Sequence, residues 1–332
     1  RISKIELPAP EVVAAPSPRR YRNRVTFHWR DKELGFFAEG SRKLIEVVDC
    51  PITDELLIDA RRFVEGALAG LGEAEVTLEL AGNEQVVVSI APLEGARVPR
   101  QLRQGLERLL KETSIFRGFI VEMPAGNLVI GEPTVAAERG LARPPIEDVL
   151  LPARQFRQVN DAVNQLLVDH VQDRVREIGK PRVLELYSGA GNFAFALKGL
   201  VSGLVGVEGH EVAVETARGL AQQAGLKEFS FEVADLSEGL RGPEVGLDLT
   251  LDEFDLLLLD PPRQGAHALC KELVEMKGPE HILYISCDPP CLGRDLQVLG
   301  EAGYRVTSLS FFDMFPRTAH IETVAQLTCI SD

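Results

Sequence analysis

Strands and helices alternate along the second half of the chain, and one strand is almost entirely apolar. That strand is Phe254–Leu259 and includes four consecutive leucines, Leu256 to Leu259. Such a strand is typical of a parallel sheet covered by helices on both faces, because neither face meets water. The apolar spacing predicts helices over 160–178, 193–200, 211–224, 266–276 and 292–302, and strands over 183–186, 204–207, 229–233, 254–259, 282–285, 306–312 and 323–328.

The first half of the chain has a different pattern, which predicts a small α+β domain. Short strands are expected over 22–29, 35–38, 44–48, 76–80, 86–90 and 116–121, and helices over 54–71 and 99–112. The proline-rich stretch Glu132–Pro152 is the best candidate for a linker, since proline resists helix and removes backbone donors. We therefore predict an N-terminal segment over 1–20, an α+β domain over 21–150 and an α/β domain over 151–332.

Charge and composition restrict the function. The chain has 332 residues and no run near the roughly 20 apolar residues of a membrane span, so we predict a cytoplasmic protein without a membrane partner. Its net charge of −14 argues against nucleic-acid binding, which usually leaves a basic surface. Arginines do cluster at 19, 20, 22 and 24, and again at 97, 100 and 103. Nothing in the sequence indicates an oligomeric state.

A glycine-containing turn follows the first predicted strand of the α/β domain. The segment Glu185 to Phe193 contains Gly189 and Gly191, and such a turn lets a ligand approach the backbone at a helix N-terminus. Glu208 ends the next strand and fits a ribose in either a nicotinamide dinucleotide or S-adenosylmethionine. Glu185, before the glycines, and Asp235, after the third strand, favour S-adenosylmethionine.

Two further strand ends carry reactive side chains. The fourth strand ends in Asp260-Pro261-Pro262-Arg263 and the fifth in Ser286-Cys287-Asp288, and ligands of open α/β sheets bind at such ends. Methylation at carbon 5 of uracil requires a thiolate that adds to carbon 6 and a base that later removes the carbon 5 proton. We predict Cys287 as the nucleophile and Glu322, at the start of the last strand, as the base.

Other interpretations remain open from these residues. Pro290-Cys291 is similar to the nucleophile segment of cytosine-5 methyltransferases, so Cys291 is a second candidate nucleophile. Methyltransferases that modify amino groups carry an acid-Pro-Pro segment followed by an aromatic residue, whereas Arg263 follows here. A nicotinamide-dependent oxidoreductase and an RNA-binding module without catalysis are the remaining alternatives.

The combined segments resemble the RNA 5-methyluridine methyltransferase family, which acts on transfer or ribosomal RNA. The resemblance extends over nearly the whole chain. It is carried by Tyr21–Arg24, Phe156–Asn160, Leu184–Phe193, Asp260–Arg263, Ser286–Leu296 and Phe315–Glu322.

The resemblance implies a class I methyltransferase Rossmann-like sheet of seven strands, the last one antiparallel, after a smaller α+β domain that contacts RNA. It implies 5-methyluridine formation in rRNA, or in tRNA, with S-adenosylmethionine as the cofactor and structured RNA as the partner. Residues expected to bind the cofactor are Gln158, Tyr187, Gly189, Asn192, Glu208, Asp235 and Asp260. Residues expected to bind the RNA are Arg22, Phe156 and Arg263.

The sequence also departs from the family pattern. Asp288, Cys291 and Arg317 stand where relatives usually have Asn, Thr and His. Many members hold an iron-sulfur cluster with four cysteines, and Cys50-Pro51 resembles the last of these ligands. The other three would precede Arg1, so this chain alone does not support a cluster. We therefore expect residues 1–20 to be the remnant of a longer N-terminal region.

Overall fold

The computed structural model describes residues 7–82, 84–124, 126–136, 150–152, 155–241, 249–276 and 278–330. These residues form two compact units. The central unit contains the described residues between 17 and 136 and between 150 and 161, and the C-terminal unit contains 7–16 and those from 162 onward. Most of the predicted linker lies outside the described residues.

The first strand of the chain, β1 (Glu11–Val13), belongs to the C-terminal unit and is followed by the central unit. The strands of the central unit are β2 (Arg24–Arg30), β3 (Glu33–Phe37), β4 (Leu44–Glu46), β5 (Ala74–Leu80), β6 (Val86–Pro92), β7 (Phe116–Val121), β8 (Leu128–Gly131), β9 (Thr134–Ala136) and β10 (Leu150–Pro152). Its helices are α1 (Glu55–Ala67) and α2 (Gln101–Glu112).

A seven-stranded sheet organises the central unit, in the order β4-β3-β2-β5-β6-β7-β8. Alternation along β2 shows how the sequence builds it: Val25, Phe27 and Trp29 are buried in the core, while the residues between them are more exposed. Leu57 and Val64 of α1 and Leu106 of α2 are also fully buried, so both helices pack their apolar faces into this core. Strands β9 and β10 form a separate antiparallel pair at the described ends of the predicted linker.

The C-terminal unit has the predicted alternation of strands and helices. Its helices are α3 (Asp161–Ile178), which begins at the unit boundary, α4 (Glu211–Gln223), α5 (His267–Glu275) and α6 (Pro289–Glu301). Its strands after β1 are β11 (Arg182–Leu186), β12 (Gly203–Glu208), β13 (Phe229–Val233), β14 (Leu256–Leu259), β15 (His281–Ser286), β16 (Tyr304–Phe312) and β17 (Glu322–Cys329).

Eight strands form the sheet of this unit, in the order β1-β16-β17-β15-β14-β11-β12-β13. Strands β11 to β15 are parallel, whereas β17 runs antiparallel to both β15 and β16. All four leucines of β14 are fully buried, as expected for a strand covered on both faces. The strand order reverses between β11 and β14, and this is where ligands bind in sheets of this type. The eighth strand, β1, pairs with β16 and was not predicted.

Two helices of this unit differ from their predicted bounds. The helix predicted over 193–200 is only a 3₁₀ turn, Phe195–Leu197, because the chain leaves helical geometry at Lys198 and Gly199 has φ +77°. Helix α6 begins at Pro289, before the predicted start at residue 292, so Cys291 lies in its first turn. None of the described helices is both long and apolar enough to cross a membrane.

Candidate active site

The glycine turn connects β11 to the 3₁₀ turn in a tightly packed conformation. Gly191 has φ +97°, a region that side chains rarely adopt. A β-carbon placed there would lie 2.4 Å from the ring of Phe195, whose side chain is fully buried. Tyr187, before the glycines, also has a positive φ of +63°. The turn therefore has a fixed shape set by packing as well as by its glycines.

Glu208 closes the turn from the end of β12. Its carboxylate accepts hydrogen bonds from the backbone N–H of Gly189 at 3.0 Å and of His210 at 2.8 Å. The Tyr187 hydroxyl donates to the backbone oxygen of Leu236 at 3.2 Å, and burial raises the pKa of Tyr187 to about 12. Asp235 is exposed after β13 and accepts a bond from the Ser237 backbone at 2.8 Å. These predicted cofactor residues line adjacent strand ends.

Asn192 makes a contact that sequence reasoning missed. Its side-chain amide exchanges two hydrogen bonds with the amide of Asn164 in α3, at 2.9 and 3.1 Å. Asn164 is 3% exposed. The paired amides hold Asn192 in one orientation at the end of the glycine turn. An asparagine among the inward-facing positions of an amphipathic helix was the available sequence signal.

Buried carboxyl groups gather at the switch point of the sheet. Glu185 in β11 is 1% exposed, and neither of its side-chain oxygens makes a hydrogen bond within the described structure. Burial raises the pKa of Glu185 well above its ordinary value, with further contributions from Asp260 and Glu208, while the Ala194 backbone N–H acts in the opposite direction. Burial and then Glu208 raise the pKa of Asp260 to about 7. This arrangement favours a positively charged ligand.

The register of β15 and β17 brings the two predicted reactive residues together. Ser286 pairs with Thr323 across this antiparallel ladder. The next step of the register sets Cys287 opposite Glu322, at the carboxyl end of β15 and the amino end of β17. Glu322 is only 3% exposed, whereas Cys287 is half-buried. A buried carboxyl group therefore lies beside an accessible thiol.

Electrostatic interactions connect Cys287 and Glu322 to the charged residues that follow β14. Burial raises the pKa of the Cys287 thiol, the Glu322 carboxylate raises it further, and the Arg263 guanidinium lowers it. Burial and then Asp260 raise the pKa of Glu322 well above its ordinary value. Asp260, Arg263, Cys287 and Glu322 thus form one interacting cluster. A thiol, a base and a cationic side chain in this arrangement suit nucleophilic addition followed by proton removal.

The residues after Cys287 begin helix α6. Asp288 is its N-cap, and the Asp288 carboxylate accepts a hydrogen bond from the Cys291 backbone N–H at 2.9 Å. Ser286 and Asp288 are also joined through their backbone and hydroxyl groups. The aspartate that replaces the family's usual asparagine therefore serves as a normal helix cap. Burial and the Asp288 carboxylate raise the pKa of the Cys291 thiol, as burial and the Glu322 carboxylate raise that of Cys287, so the direction of the pKa shift does not separate the two candidate nucleophiles.

Four of the predicted site residues belong to the central unit. Phe156 is 74% exposed, and Arg22 forms a parallel bridge with Thr53. The backbone oxygen of Gln158 accepts a hydrogen bond from the Asn23 side chain at 3.0 Å. Cys50 is half-buried against the central core, and the described residues contain no group of three His, Cys, Asp or Glu that could hold a metal. They do not complete an iron-sulfur site.

Comparison with solved structures identifies the fold. The tRNA (uracil-54, C5)-methyltransferase of Pyrococcus abyssi, solved with S-adenosyl-L-homocysteine, matches with a TM-score of 0.73 and 24% identity, over 96% of this chain and 79% of that one. The protein therefore has the class I methyltransferase fold, which confirms the predicted fold class.

Sequence comparison identifies the family. The model of the tRNA (uracil-5-)-methyltransferase family matches residues 151–329. A 23S rRNA (uracil(1939)-C(5))-methyltransferase of Shewanella denitrificans is 34% identical over 95% of this chain and 72% of its own length. An uncharacterized RNA methyltransferase of Thermosynechococcus vestitus is 30% identical, over 96% of this chain and 73% of its own.

The chain belongs to the tRNA (uracil-5-)-methyltransferase family. A 23S rRNA (uracil(1939)-C(5))-methyltransferase of Salmonella typhi is 32% identical over 88% of this chain, and the match covers 65% of that relative's length. Family membership confirms the predicted resemblance and decides against the nicotinamide-dependent oxidoreductase that the glycine turn left open.

Replacing Gly191 with alanine should destabilise the C-terminal unit through a steric clash. Gly303 is a matched control, because it has φ +87° but nothing within 4 Å of an added β-carbon. Gly303→Ala should cost about 1 kcal/mol from backbone strain alone. Gly191→Ala should cost about 1–3 kcal/mol more, since the Phe195 ring must move. Urea unfolding followed by circular dichroism measures both values, and equal losses would contradict the packing described for the turn.

The raised pKa of Asp260 predicts a pH dependence of stability. Its folded pKa of about 7 exceeds its ordinary value of 3.8, so the folded state holds this proton more tightly than the unfolded chain does. The free energy of unfolding should therefore fall as pH rises from about 4 to about 7. Asp260→Asn should reduce this fall when urea unfolding is measured from pH 5 to pH 8.

Asp235→Asn is the matched control for that measurement. The Ser237 backbone N–H lowers the pKa of Asp235, so its contribution to the slope lies below pH 4. The control should keep the wild-type slope. If Asp260→Asn also kept it, Asp260 would not be the group that titrates.

Proposed function

We propose that this protein methylates carbon 5 of a uridine in structured RNA, with S-adenosylmethionine as the methyl donor. The observation that carries the proposal is the register of β15 and β17, in which Ser286 pairs with Thr323, so that Cys287 and Glu322 follow as neighbours and Asp260 acts on the Glu322 carboxyl group. Family membership supports the same activity. The prediction that the protein is cytoplasmic stays a prediction.

Cys287 and Glu322 would divide the chemistry between them. The Cys287 thiolate adds to carbon 6 of the uracil ring, which moves electron density to carbon 5. Carbon 5 would then bond to the methyl group as the methyl–sulfur bond of the donor breaks, and neutral S-adenosylhomocysteine would leave. Glu322 removes the remaining proton from carbon 5, and the electrons of that C–H bond reform the double bond and expel the Cys287 thiolate. Arg263 would help by favouring the thiolate, since its guanidinium lowers the pKa of this thiol.

The C-terminal unit fits the proposed donor. S-adenosylmethionine supplies, when bound, a methyl group on a positively charged sulfur, and it also carries an ammonium group. Glu185 has two buried oxygens without hydrogen-bond partners, and its pKa is raised by Asp260 and Glu208 as well as by burial. A cationic ligand would relieve this repulsion. Tyr187, Gly189, Asn192, Glu208, Asp235 and Asp260 remain the proposed cofactor residues of this unit. That Gln158 also binds the cofactor stays a prediction.

Ribosomal RNA is the proposed substrate in preference to transfer RNA. Relatives with 31–34% identity over most of this chain are 23S rRNA (uracil(1939)-C(5))-methyltransferases. Phe156 offers a largely exposed ring on which a base could stack, and Arg22 a cation for phosphate. Mapping of 5-methyluridine in 23S rRNA and tRNA from a strain without this protein tests the choice. A missing methyl group in tRNA alone would reverse it.

Cysteine variants separate the candidate nucleophiles. Cys287→Ala should lose methylation of uridine by at least about 10³-fold, because the alanine has no group that can add to carbon 6. Cys291→Ala is the matched control and should stay within about threefold of wild type, since Cys291 contributes its backbone N–H to the helix cap. Transfer of labelled methyl from S-adenosylmethionine to RNA measures both.

The product and a trapped complex complete this test. With RNA containing 5-fluorouridine, carbon 5 has no proton for Glu322 to remove, so wild type and Cys291→Ala should remain covalently bound to RNA. Cys287→Ala should form no such complex. The reverse pattern, with 5-methylcytidine as product, would instead support Cys291 as the nucleophile of a cytosine-5 enzyme. RNA binding without methyl transfer to any substrate would support the non-catalytic alternative.

A further inference from the structure

A buried aspartate in α6 lies outside the residues assigned to chemistry or cofactor binding. Asp295 has no exposed surface and occupies the apolar face of the helix, between Leu292 and Leu299. An acid on such a face is costly unless it is fully hydrogen-bonded. Its surroundings therefore show which arrangement this carboxylate stabilises.

The two oxygens of Asp295 have different partners. Oδ2 accepts a hydrogen bond from the Tyr284 hydroxyl at 2.7 Å and another from the Ala266 backbone N–H at 2.9 Å. That N–H also lies 2.9 Å from the Tyr284 oxygen, so it is shared between the two acceptors. Oδ1 accepts from the Arg294 guanidinium at 2.8 Å and lies 3.3 Å from Nδ1 of His267, the first residue of α5. One carboxylate thus joins β15, α6 and the segment before α5.

These partners connect the carboxyl ends of β14 and β15, which are followed by Arg263 and Cys287. Ala266 is three residues after Arg263, and Tyr284 is three residues before Cys287. The Arg294 side chain also donates to the Gln264 backbone oxygen at 2.7 Å. At Gly265, which has φ +75°, an added β-carbon would lie 2.4 Å from Oδ2 of Asp295. The segment 263–266, which we call the arginine loop, therefore packs directly against this carboxylate.

We propose that Asp295 is a positioning residue that holds the arginine loop against the Cys287 segment. It contacts no reacting group and acts through the placement of Arg263. This inference rests on the proposed function only for its effect on turnover. The effect on the thiol itself follows from the geometry and does not require that the protein methylate RNA.

The thiol provides a readout that simple destabilisation would not change. The charged groups acting on Cys287 are Glu322 and Asp260, which raise its pKa, and Arg263, which lowers it. If the arginine loop moves away, the lowering effect weakens and the pKa of Cys287 rises. The pH dependence of Cys287 alkylation by iodoacetamide, read by peptide mass spectrometry, measures this pKa.

Asp295→Asn tests the proposal with a side chain of the same size. The amide nitrogen cannot accept from Arg294, so the alkylation midpoint of Cys287 should move to higher pH. Turnover on RNA should fall by about 10- to 100-fold, because the reacting groups are misplaced, with a smaller change in KM. Tyr284→Phe removes the hydroxyl but keeps the bond from Ala266 to Asp295, and it should give a smaller shift in the same direction.

Leu299→Ala is the control for lost stability. It removes a fully buried side chain of the same helix face and should lower the urea concentration at which the protein unfolds, yet it removes no hydrogen bond to the arginine loop. Its alkylation midpoint should stay at the wild-type value. Wild-type midpoints in both Asp295→Asn and Tyr284→Phe would overturn the positioning role. A shifted midpoint in a protein that methylates no RNA would uphold that role and reject the proposed function.

Discussion

Repulsion between buried carboxyl groups is the constraint around which the C-terminal unit is arranged. Burial and then Asp260, at the end of β14, raise the pKa of Glu185 in β11 and of Glu322 in β17. Burial and then Glu208 in turn raise the pKa of Asp260. Such a cluster is unfavourable in an empty protein and becomes favourable when a cation enters. The buried carboxyl groups therefore lower the stability of the empty protein and make the site selective for a positively charged ligand. The proposed methyl donor carries such a charge.

The direction of β17 explains how a base reaches this cluster. In a wholly parallel sheet, the residue beside the end of β15 would be another strand end, followed by a loop. Because β17 runs the other way, its first residue, Glu322, lies beside Cys287 and is held in regular structure. Asp295 has a similar effect, because it joins the arginine loop to β15, the strand that precedes the thiol. In both cases a residue of a regular strand or helix fixes the position of groups at the reactive site.

Much of this arrangement could be predicted from the sequence, because strand ends are marked by local patterns. The apolar run of β14 and the segments around Asp260 and Cys287 indicated both the sheet and its reactive edge. Contacts between distant elements gave weaker signals. The pairing of Asn192 with Asn164 depends on how α3 packs, and β1 is a three-residue strand with an unremarkable composition. Asp295 could have been noticed as an acid on an apolar helix face.

The pairing of β1 with β16 has a consequence for how the chain assembles. Glu11 lies opposite Ser310, so β1 can pair with its neighbour only after the chain between them, including the central unit, has been synthesised. The central unit contains most of its own contacts and can become compact while the sheet of the C-terminal unit is still incomplete. Closure of that long loop is thus a late event, and the edge of the sheet stays open to competing strands until then.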